Sequence, residues 1–131
     1  MTTTTSTTAA VARRYVDAVS TMDFAAVGQL LASDVVWHHP GNSRFSGLLV
    51  GAVTVNEMIS ELMGVTKGTL GLEVAGRFMI NGKLFAVPVH FSAKRDDAEL
   101  SLDGFDVLKV RGDRIVDVWV FAEVQKEQDA L

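Results

Sequence analysis

The chain predicts an α+β domain in which helices come first and a long antiparallel meander follows, the helices lying against one face of the sheet. Three observations point there. Apolar residues recur at helical spacing as far as about residue 64. From about residue 69 the period falls to two, the spacing of a half-buried strand. Turn signals at Asn81-Gly82, Asp96-Asp97 and Gly112-Asp113 then cut the second half into successive strands. With 131 residues, 48% of them apolar, the chain is long enough to bury a core within one domain.

Met1–Thr7 is Thr-rich and too polar and biased to pack, so the segment up to residue 8 is expected to be a disordered tail, with the domain running over 9–125. Val11, Tyr15, Ala18, Val19 and Met22 make the apolar stripe of a first helix. Asp23 suits the N-cap of a second, short helix carrying Phe24, Val27, Leu30 and Leu31. Asp34–His39 reads as a strand stopped by Pro40-Gly41, and Gly41–Gly51 as a loop. A third helix around Val53–Gly64 carries Val55, Ile59, Leu62 and Met63. The meander takes in Thr69–Ile80, Leu84–Lys94, Glu99–Val110 and Arg114–Glu123, and 126–131 is a polar C-terminal tail.

One acidic residue breaks this pattern. On Glu99–Val110 the even positions Leu100, Leu102, Gly104, Asp106, Leu108 and Val110 form an apolar stripe interrupted by a single carboxyl group. A lone buried carboxylate is costly, so such a group is paired, hydrogen-bonded or held neutral by a raised pKa. A neutral acid in an apolar cavity donates a hydrogen bond at pH 7, which suits a developing oxyanion. Asp106 therefore points to a small-molecule site.

Two other side chains could join it. Alternation puts Val35, Trp37 and His39 on one strand face and His38 on the other, so His39 opens into the interior if Trp37 does. A histidine titrates near neutrality and can act as a general base, and equally it can cap a strand end by bonding a loop carbonyl. Tyr15, on the greasy side of the first helix, needs a partner for its hydroxyl, in a site or in plain core packing. On the last strand Val116, Val118, Val120 and Ala122 form an aliphatic face suited to lining a cavity. The opposite face, with Asp117, Trp119 and Phe121, suits a dimer interface. His90 is expected on the outer sheet face.

Composition excludes several classes. A net charge of -4 without a Lys/Arg stripe argues against nucleic acid as a partner. With no cysteine there is no disulfide or thiolate chemistry. No signal peptide or membrane-spanning run is apparent, which makes a cytoplasmic protein the expectation. The histidines lack metal-ligand spacing, no glycine-rich phosphate loop opens a helix, and no Ser–His–Asp arrangement stands out, so neither metal nor organic cofactor is expected.

The order of helix, helix, strand with a Pro-Gly stop, helix and meander resembles the nuclear transport factor 2-like superfamily over roughly Ala9 to Gln125. WHHPGN and SGLLVG look like SnoaL-like polyketide cyclase relatives, and RRYVDAV, DVVWHHPGN and FDVLKVRGDRI look like their counterparts in ketosteroid isomerase. The resemblance implies a cone-shaped α+β barrel with three N-terminal helices on a curved, mostly antiparallel sheet. It also implies that Tyr15 and Asp106 stand where the isomerase keeps its oxyanion-hole tyrosine and protonated aspartic acid. His39 stands in place of the general-base aspartate, a departure that puts steroid isomerisation itself in doubt. The expectation is a homodimeric, cofactor-independent enzyme acting on an enolisable carbonyl compound by polyketide-type cyclisation or double-bond isomerisation. Tyr15, His39 and Asp106 would be catalytic, and Trp37, Val116, Val118 and Val120 would line the apolar substrate cavity. The alternative is a non-catalytic, dimeric small-ligand-binding module.

Overall fold

A computed structural model of the chain describes residues 2–39, 41, 46–95 and 98–123. Three helices, α1 (Thr2–Ser20), α2 (Phe24–Leu30) and α3 (Ala52–Val65), pack on one face of a curved, seven-stranded mixed sheet. Its strands are β1 (Leu31–His39), β2 (Gly47–Val50), β3 (Gly71–Val74), β4 (Met79–Asn81), β5 (Leu84–Arg95), β6 (Ala98–Arg111) and β7 (Arg114–Ala122). They lie in the order β2-β1-β7-β6-β5-β3, and β4 pairs with β5 beside β3. All pairings are antiparallel except β1 with β7, where the first strand returns to lie parallel to the last. No helix among the described residues is long and apolar enough to cross a membrane.

Local chemistry sets the boundaries. α1 ends in a paired-bond cap: Asp23 N–H donates to Ala18 C=O and Met22 N–H to Val19 C=O, with Met22 in the left-handed region at φ 56°. The Asp23 carboxylate then accepts from Ala26 N–H at 3.1 Å and opens α2, as the sequence predicts. The start of α1 differs from expectation. The Thr-rich segment is not a tail but the first turns of the helix, and Thr8 is buried with its hydroxyl donating to Gly82 C=O at 2.9 Å. Once Val11 and Ala12 are anchored in the core, adding turns to an existing helix is far easier than nucleating one.

The run Thr69–Ile80 is two strands rather than one, and Pro88 supplies the reason. β3 follows β5 as far as Val74 opposite Val89, and Ala75 N–H still donates to Pro88 C=O at 2.8 Å. Pro88 has no N–H to return, so the ladder breaks there and resumes as β4 at Met79 opposite Ala86. β2, expected as loop, is a short edge strand paired to β1. The Pro40 stop, the Asp96-Asp97 turn and the segment 126–131 lie outside the described residues.

The core fills the space between helices and sheet. Val11, Tyr15 and Val19 of α1 and Val55 of α3 meet Phe85, Val87, Leu108, Ile115 and Val118 of the sheet, all nearly solvent-free. Leu70, Ala93, Leu100 and Leu102 form a second, smaller cluster.

Candidate active site

Strand β6 keeps its alternation over its whole length. Leu100, Leu102, Asp106, Leu108 and Val110 are buried under the helices, while Ser101, Asp103, Phe105 and Lys109 are exposed on the other face. Asp106 is thus carried into the interior by the register that buries its apolar neighbours, between Val87 on β5 and Val120 on β7. From above, α1 brings Tyr15, whose hydroxyl donates to Asp106 Oδ2 at 2.7 Å. The tyrosine ring is held edge-on to Phe85, with centroids 5.8 Å apart.

Burial raises the Asp106 pKa from 3.8 to about 6, and the Tyr15 hydrogen bond restrains the rise by favouring the carboxylate. The upward direction is as expected for an acid on an apolar strand, but the extent falls short of a neutral acid at pH 7. At neutral pH the carboxylate predominates, and the acid predominates only below about pH 6. Burial and the adjacent carboxylate together push Tyr15 well above its ordinary value, so its hydroxyl keeps its proton.

The pair faces a partly open apolar cavity of about 110 Å³. Val27 from α2 and Met58 and Leu62 from α3 form its helical wall, and Leu72, Val89 and Phe91 form part of the sheet wall. Trp37, His39 and Val120 also line it, so Tyr15, His39 and Asp106 share one cavity. The Trp37 indole N–H is enclosed, with no acceptor among the described residues. Neither lysine nor arginine is among the described lining residues.

Two expected lining residues are elsewhere. Val118 is fully buried in the core rather than on the cavity wall. Val116 lies on the opposite sheet face, beside Asp34, Lys109 and Asp117. Between Val110 opposite Ile115 and Lys109 opposite Asp117, β7 carries one residue more than β6. Val116 is that bulged residue, and the bulge reverses the inside–outside phase, putting Ile115 rather than Val116 in the core.

The outer face holds the remaining histidines. His38 stacks on Trp119 at 4.8 Å and 7° and approaches Asp117 Oδ1 at 3.3 Å. His90 Nδ1 lies 2.8 Å from Asp103 Oδ1, and its Nε2 lies 2.9 Å from Ser101 Oγ. A Ser–His–Asp constellation thus does exist, created by β5–β6 register, which sequence reading does not supply. It stands on the solvent side of the sheet, with the Asp103 side chain 70% exposed, where charges are screened and no dry cleft surrounds the hydroxyl. Among the described residues no cluster of three or more His, Asp or Glu could hold a metal ion.

Gly104 was missed as a site residue. It interrupts the apolar stripe two positions before Asp106 and lines the cavity, and a Cβ there would fall 2.2 Å from Phe121 C=O. The signal was a glycine inside a strand, which marks close backbone approach.

A profile of the SnoaL-like domain matches residues 12–118. Among solved structures, a protein of unknown function with a cystatin-like fold from Xanthomonas campestris is 34% identical. That match covers 94% of this chain and 95% of the other, with a TM-score of 0.87. Bal32a from a soil-derived mobile gene cassette is 21% identical over 95% of each chain, with a TM-score of 0.84. A putative SnoaL-like polyketide cyclase from Jannaschia sp. CCS1 shares the fold at 8% identity, covering 90% of this chain and 86% of the other, with a TM-score of 0.71. The search of curated proteins returned no match. The match over residues 12–118, on a chain with helices packed on a curved sheet, establishes that the chain belongs to the SnoaL-like domain family.

Proposed function

We propose that the protein is a cofactor-independent enzyme that moves a proton on an enolisable small-molecule carbonyl compound, in a cyclisation or double-bond isomerisation. The observation that carries this reading is the buried Tyr15–Asp106 pair facing an apolar cavity that His39 also lines. Pairs of titratable groups at a dry cavity are the usual apparatus of general acid/base chemistry. On this reading His39 takes a proton from the carbon next to the carbonyl. Asp106, in the protonated form that its raised pKa keeps accessible near neutrality, gives its proton to the oxygen as negative charge develops there, leaving an enol and a carboxylate. Return of the proton to a different carbon isomerises the double bond, and attack of the enol carbon on a second carbonyl closes a ring. A positioned base typically contributes ~10²–10⁴-fold and an oxyanion donor ~10²–10³-fold.

The test is exchange of α-protons for deuterium, followed by NMR, in a panel of cyclic ketones and 1,3-diketones. Exchange catalysed by the wild type and reduced at least tenfold in both His39→Gln and Asp106→Asn supports the proposal. Equal exchange in all three proteins, or none above buffer, contradicts it.

One observation favours a second reading. The Tyr15 hydroxyl is already satisfied by Asp106, an arrangement that could simply hold α1 to the sheet. The protein would then be a ligand-binding module that dimerises through the outer face around Trp119. Ligand binding without proton exchange, together with a dimer lost in Trp119→Ala, would select it.

A further inference from the structure

Tyr15 has one proton to donate, and Asp106 Oδ2 receives it. The tyrosine lines the cavity yet is only 2% exposed, and its proton is committed to that carboxyl group. Asp106 retains a second oxygen, Oδ1. No described residue donates to it, and Asp106 lines the cavity, which leaves Oδ1 as the carboxyl oxygen available to a ligand there. The surroundings add a restriction on charge. The Asp106 carboxylate is already there, and the described lining has no lysine or arginine to balance a second. An anionic ligand would meet like charge among apolar walls, the arrangement that burial penalises most.

Resting on the enzymatic reading above, we propose that the cavity selects an uncharged ligand presenting an O–H group, an enol or phenol, to Asp106 Oδ1, and that Tyr15 is a positioning residue for that carboxyl rather than a direct donor to the ligand. A hydroxyl reaching Oδ1 makes a charge-assisted hydrogen bond in a dry setting, the strong kind. An analogue lacking that hydrogen leaves the oxygen unpaired, and polar sites discriminate strongly on that basis. The substrate class is therefore the hydroxylated, enol-rich carbonyl compound rather than the simple ketone, carboxylate or phosphate ester. The proton inventory agrees: the enol O–H passes its proton to Oδ1 while the adjacent carbon gains one from protonated His39, the reverse of enolisation.

The experiment is a binding series at pH 7.5 by calorimetry with 2-naphthol, 2-methoxynaphthalene and 2-naphthoate as probes of equal ring size. The expected result is 2-naphthol at least tenfold tighter than either analogue, with that advantage collapsing to under threefold in Asp106→Leu, whose fold is checked by circular dichroism. Tyr15→Phe tests the positioning role through the pH profile. The titratable groups that share the cavity with Asp106 are Tyr15 from α1 and His39 from β1, while the Asp103 carboxyl of β6 itself stands on the solvent face. Because the tyrosine bond favours the carboxylate, its removal should shift upward the pH at which the naphthol advantage sets in, while the advantage at high pH persists. Equal binding of naphthol and its methyl ether, preference for naphthoate, or no binding by any probe overturns the ligand assignment. An unmoved pH profile overturns the role of Tyr15. Binding needs no turnover, so failure of ketone exchange with the naphthol preference intact condemns only the enzymatic reading.

Discussion

Asp103 and Asp106 stand three residues apart on one strand, and alternation sends them to opposite worlds. Asp103 points to solvent and completes a hydrogen-bonded row with His90 and Ser101 that has the connectivity of a nucleophilic triad. Asp106 points inward, has one hydrogen-bond partner among the described residues, and is lifted to a pKa of about 6. The outer group has the more suggestive geometry and the inner one the more productive environment. What separates them is water: in a high dielectric a His–carboxylate contact changes little, whereas desolvation in the cavity shifts a proton equilibrium across a useful range. Environment, more than constellation, makes the site.

The sharpest way to break this comparison is kinetic. Asp106→Asn should lower turnover of an accepted substrate by ~10²–10³-fold, while Ser101→Ala and His90→Ala should leave it within about twofold. A large loss in the outer-face variants would transfer the chemistry to the other side of the sheet.

Stability is the next test, and its sign follows from the raised pKa. Asp106 binds its proton more tightly folded than unfolded, so its favourable contribution is complete below about pH 3.8 and is lost as pH rises through about 6. The difference of about two units corresponds to about 3 kcal/mol of stability forgone at pH 8. Asp106→Asn should therefore gain on the wild type in urea melts at pH 8, by up to about 3 kcal/mol, with the gap closing by pH 4. Asp103→Asn, at a solvated position, should differ by no more than about 0.5 kcal/mol at either pH.

The backbone beside the pair should be nearly as sensitive. Gly104→Ala pushes a methyl group into Phe121 C=O and should cost ~1–3 kcal/mol in thermal or chemical unfolding. A neutral outcome would mean that β6 and β7 are less closely held at the cavity than they stand here.

How far these features were legible depends on the range of the interaction that creates them. The inward direction of Asp106, the outward direction of His38 and His90, and the Asp23 cap all follow from spacing within one element, and all stand where the sequence predicts. Val116 was misassigned because a bulge is a relation between two strands and cannot be read from the alternation of one. The division of Thr69–Ile80 came from a proline in a different strand. The Ser101–His90–Asp103 row likewise needs the β5–β6 register. The Thr-rich start was misread because composition describes the segment alone, whereas Thr8 is held by a turn far along the chain. In the candidate site, the residue types were readable, but the degree of protonation was not. It depends on the balance between desolvation and one hydrogen bond from α1.

Direct titration of the Asp106 carboxyl carbon by NMR, using 13C-labelled aspartate and Asp106→Asn to assign the signal, weighs that balance without any substrate. A midpoint near 6, rising further in Tyr15→Phe, is the outcome required by a dry cavity that tunes a lone acid for proton transfer. A midpoint in the ordinary range near 4, unmoved by loss of the tyrosine hydroxyl, would mean a wetted carboxyl group and would remove the physical basis of the catalytic proposal.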